Sequence, residues 1–70
     1  MNKNLINMLK TSAEADKAKA LLTLDLLGTK GAGIGDHSTK DFYNNAEDAL
    51  HMLIDADDRL EAIEKYFKSK

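Results

Sequence analysis

Cysteine and proline are both missing from this chain of 70 residues, and each absence removes a class of answers. Without cysteine there is neither a disulfide framework nor a thiolate metal site to staple a small fold. Without proline, nothing of that kind interrupts a long helix. Long apolar runs are missing too. None approaches the roughly 20 residues of a membrane span, and Met1 to Leu5 lack the apolar core of a secretory signal. A formal charge of −2 argues against a broad surface for long nucleic acid. The composition is that expected of a single soluble, cytoplasmic domain. At this length one core seldom supplies more than about 3–5 kcal/mol unaided, so regular helix pairing or oligomerisation is expected to make up the rest.

Glycine is scarce and confined to one place. All four glycines fall between Gly28 and Gly35, and the segments on either side read as one helix each. The first, over about 3–27, begins at Asn2 or Asn4 as a capping residue. Its apolar stripe runs Ile6, Leu9, Ala13, Asp16, Ala20, Thr23 or Leu24, and Leu27, in alternating steps of three and four. Asp16 breaks the stripe. It reads either as an edge carboxylate reaching water or a lysine, or as a buried polar group that fixes register. Gly28 is expected to close this helix in a left-handed conformation.

The second helix, over about 38–68, carries the clearer signal. Ser38-Thr-Lys-Asp41 resembles a capping box, with Asp36 as a competing cap. Phe42, Ala46, Ala49, Leu53, Ala56, Leu60, Ile63 and Phe67 then follow in steps of four and three, an a/d seam of more than three heptads. Run antiparallel, the stripes set Leu27 against Phe42, Ala20 against Ala49, Ala13 against Ala56 and Ile6 against Ile63. Small meets small in the middle and large meets large at the ends. The fold expected is an all-α antiparallel two-helix hairpin over residues 1–70, with a coiled-coil-like seam and a glycine-rich loop over 28–37. Leu21, Leu22, Leu26, Tyr43, Leu50 and Ile54 do not fit within one hairpin, so a homo-oligomeric helical bundle joined through them is expected.

The loop carries what chemistry the chain offers. Glycines allow backbone N–H groups to turn inward as an anion nest, and the first turn of the second helix adds unpaired donors and a positive dipole end. Lys30, Gly31, Gly33, Gly35, His37, Ser38, Thr39 and Lys40 are the candidate ligand-binding residues. The spacing is neither a dinucleotide fingerprint nor a Walker loop. The competing reading is a plain connector. His37 beside Asp36 lacks the partners for a metal shell, and His51 falls opposite the seam, so no metal site is expected. Ser38 has no fixed base, and neither enzymatic activity nor a cofactor is expected. Asp55-Ala-Asp-Asp58 lacks the glycine turn and closing glutamate of a calcium loop, and reads as a solvated face with Arg59 and Lys65.

Gly33-Ile-Gly-Asp-His37 resembles small uncharacterised helical-hairpin proteins of tailed bacteriophages, which carry Gly-Ile/Val-Gly-Asp/Glu-His between two amphipathic helices. Ser38 stands where a proline would complete that likeness. The resemblance implies a phage protein acting inside a bacterial cell, and small oligomeric helical phage proteins include sponges for nucleotide messengers of host defence. The leading expectation is therefore an oligomeric, anti-defence binding protein that sequesters an anionic nucleotide through its interhelical loop. The alternative is a non-enzymatic structural or protein-interaction hairpin whose loop only connects.

Overall fold

The protein, a computed structural model, is described for residues 2–67 except 31–38, with the side chains of Lys30 and Thr39 also left aside. Two helices account for nearly all of this: α1 (Lys3–Lys30) and α2 (Thr39–Phe67). Among the described residues there is no strand. The helices pack side by side as a hairpin.

Asn2 begins α1. Its Oδ1 accepts from the N–H of Asn4 at 2.7 Å and of Leu5 at 3.2 Å, while its carbonyl accepts from Ile6 N–H at 3.0 Å. Three first-turn donors are satisfied by one short residue, so Asn2 rather than Asn4 is the cap.

The other end of α1 departs from expectation. The helix runs on through Gly28 and Thr29 to Lys30, and Gly28 has no positive φ. Thr29 shows how the last turn is held. Its Oγ1 donates to the Asp25 carbonyl at 2.6 Å and lies 3.4 Å from that of Leu26. A threonine bonded back to its own turn adds a tie there. A glycine not in a left-handed conformation costs only about 1 kcal/mol relative to alanine. Gly28 is therefore a weak point within the helix, not its end.

The seam is where the stripes placed it. Ala13, Ala20, Ala49 and Ala56 are the buried residues among those described. Ile6, Leu24, Leu27, Phe42, Ala46, Leu53, Leu60 and Ile63 are half-buried beside them. Leu24, not Thr23, takes the inward position, and the Thr23 hydroxyl donates to the Lys19 carbonyl at 2.8 Å. Small side chains let two backbones approach closely, so dispersion between them replaces the bulk of a leucine core. Leu9 and Phe67, at the end away from the loop, remain more than a third exposed.

Two ion pairs cross between the helices. Arg59 Nη2 donates to Asp16 Oδ2 at 2.7 Å, and Lys17 Nζ lies 3.0 Å from Asp57 Oδ1. With Ala13 facing Ala56, Asp16 is level with Leu53, six residues and about 9 Å from Arg59. Helical side chains lean toward their own N-terminus. In an antiparallel pair the Arg59 and Asp16 side chains therefore lean toward each other, which closes that gap. The same holds for Lys17 and Asp57. Both pairs fit the alanine register.

Candidate functional site

The expected site divides sharply. Gly31, Gly33, Gly35, His37 and Ser38 lie outside the described residues. Lys30 is the last residue of α1 and Thr39 the first of α2, followed by an exposed Lys40. The hairpin brings those two helix ends, with their lysines, to one end of the molecule. Asp41, also in the first turn of α2, sets a negative charge beside them. His51 is exposed on the side of α2 away from the seam.

The carboxylates that might suggest a cation site are in part committed elsewhere. Asp55 Oδ2 lies 3.0 Å from Arg59 Nε, and Asp57 is held by Lys17. The Asp55 contact is electrostatic, because the Nε–H does not align as a hydrogen bond. No group of three or more His, Asp or Glu among the described residues could hold a metal ion.

Asp16 answers one open question and raises another. Its partner is Arg59, not a lysine or water alone, and the two side chains are 33% and 37% exposed. That is a seam-edge pair, between the two readings of the sequence. The hydrogen bond to Asp16 raises the Arg59 pKa above its ordinary value, ahead of an opposing effect of desolvation. Arg59 stays cationic throughout the working range of pH. The sequence pattern pointed to Arg59 only as part of a solvated face, since stripe counting ignores how far an arginine reaches.

What the hairpin offers most of is apolar surface. Leu21, Leu22, Leu26, Tyr43, Leu50 and Ile54 are all exposed, as are Met8 and Met52. No large side chain is fully buried among the described residues. The six residues expected to join protomers do not form one patch. Leu21 lies four residues beyond Lys17, and Leu50 and Ile54 lie seven and three before Asp57. These three therefore flank the Lys17–Asp57 pair on one side of the hairpin, with Tyr43 one more helical step along.

Leu22 and Leu26 belong elsewhere. At 100° per residue they share a face with Met8 and Ala15, within about 40° of one another and far round from Ala13 and Ala20. Asn4, Thr11, Ala18 and Thr29 border that face on one side, and Ser12 and Lys19 on the other. The stripe is legible in the sequence as a second helical spacing along α1, interrupted by Lys19 between Ala15 and Leu22. On α2 the corresponding outer face carries Lys40, Glu47, Asp58 and Lys65.

No helix among the described residues is long and apolar enough to cross a membrane. Comparison with protein-family models, curated proteins and solved structures gives no match to this chain.

Proposed function

We propose that the protein is a self-assembling helical hairpin, a non-enzymatic interaction module whose core is completed by further copies of itself. One observation carries this reading. The buried residues are four alanines, while leucines, isoleucine and tyrosine of the loop-proximal half stay in water. Protomers join through Leu21, Leu22, Leu26, Tyr43, Leu50 and Ile54. Sedimentation equilibrium at micromolar concentration is expected to give a dimer or larger assembly. A compact monomer at high concentration would sink the proposal.

A second reading belongs to the loop end. The two helix ends bring Lys30 and Lys40 to one end of the molecule, at the positive dipole end of a 29-residue helix, an arrangement that favours anions. Together with Gly31, Gly33, Gly35, His37, Ser38 and Thr39, it supports sequestration of a phosphate-bearing nucleotide by a phage-type protein. Calorimetric titration with mononucleotides and with linear and cyclic oligonucleotides tests it. Binding tighter than about millimolar, weakened by about 1.5–3 kcal/mol in Lys40→Ala, is the expected result for a desolvated charged contact. If nothing binds the wild type, the loop is a connector.

A further inference from the structure

We infer that copies of the hairpin join through two unlike faces. The outer face of α1 in one copy seats on the side of the next copy that carries Leu21, Tyr43, Leu50 and Ile54. The inference rests on the self-assembly reading and gives it a geometry. The exposed apolar residues fall on two faces that do not coincide. Leu22, 59% exposed, and Leu26, 47% exposed, share one with Met8 and Ala15. Leu21, Tyr43, Leu50 and Ile54 lie on the other, beside the Lys17–Asp57 pair. A twofold contact sets one patch against itself and leaves the second patch in water. A single heterologous contact, first face on second, covers both.

Charge selects this pairing and its direction. The first face is edged by Lys19, about 20° from Leu26 around α1. The second is edged on α2 by Glu47, Asp57, Asp58 and Glu61, with Lys40 at its loop end and Lys65 beyond Glu61. No ion pair engages Lys19, Glu47 or Asp58 among the described residues. With the copies parallel, α1 of one lies antiparallel to α2 of the next, and Lys19 turns toward that α2. Set Leu22 level with Leu50, and Leu26 falls between Leu50 and Tyr43. Lys19 is then level with Leu53, and Asp58 lies five residues on. Lys17 spans the same offset to Asp57 within the hairpin, because side chains of antiparallel helices lean toward each other. In an antiparallel copy Lys19 turns instead to the α1 side, toward Lys17. A pair formed in this way still offers one free face of each kind, so association continues past two copies, into a ring or a filament.

Complementation between two variants tests this. Leu22→Glu damages the first face and Ile54→Glu the second. Both positions are exposed, so circular dichroism should show helix content kept in each. In sedimentation velocity at micromolar concentration, the wild type should exceed a dimer. Each variant alone should be monomeric, because an isolated charge resists burial in an apolar contact. Their equimolar mixture should form a one-to-one pair that grows no further, since each chain retains the face that the other lacks. Lys19→Glu should weaken assembly of the otherwise wild-type chain about two- to fivefold, as expected for an ion pair at a rim. Adding Asp58→Lys to that chain should recover the loss. A wild type that stops at a dimer overturns the inference. So does either single variant associating alone, a mixture that stays monomeric, or Asp58→Lys deepening the loss from Lys19→Glu. A wild type that is monomeric at every concentration fails the self-assembly reading instead.

Discussion

Ala56→Leu is expected to lower the stability of the hairpin by about 1–3 kcal/mol, read as a fall in the urea midpoint. Ala56 has no exposed surface, and neither have Ala13 and Ala20. Leucine adds three carbon atoms at a contact where two backbones are close. The chain can admit them only by moving the helices apart along the seam or forcing a side chain off its rotamer. Either response also disturbs Arg59–Asp16 and Lys17–Asp57, which span the same stretch. Asp58→Leu makes the same gain in bulk on an exposed face, so it should shift the midpoint by no more than about 0.5 kcal/mol. Equal shifts for the two variants would mean that the alanines do not face one another.

Gly28→Ala should act in the opposite direction and stabilise the protein by about 0.5–1 kcal/mol. Gly28 is helical without a positive φ, and a Cβ added there meets nothing. Alanine therefore restricts the unfolded chain without a clash in the folded one. Had Gly28 closed the helix in a left-handed conformation, the same change would destabilise by a similar amount. The sign of the shift, measured by urea unfolding, separates the two geometries. Destabilisation would place the end of α1 at Leu27.

These outcomes bear on what the sequence made legible. The seam was readable because a buried stripe imposes a period, and Ala13, Ala20, Ala49 and Ala56 fall on it. The end of α1 was not. A glycine followed by a polar run suggests a stop, yet Thr29 bonds back onto Asp25 and carries the helix to Lys30. Arg59 was missed as the partner of Asp16 because residue spacing says nothing of a long side chain reaching across to another helix. For the loop, composition alone speaks. Gly31 to Ser38, the rest of the candidate site, lie outside the described residues.

The alanine seam also sets how the fold responds to temperature. The heat capacity of unfolding grows with the apolar surface that unfolding exposes, and an ordinary domain gains about 12–15 cal/mol/K per residue. A lone hairpin that hides methyl groups in place of leucine side chains should gain less. Its stability curve is then shallow, its melting broad, and its resistance to cooling greater than its size suggests. Any sharp transition with a large heat-capacity step must come from surfaces closed between copies. The calorimetric trace of a dilution series would therefore change shape, sharpening as concentration rises, and not merely shift along the temperature axis.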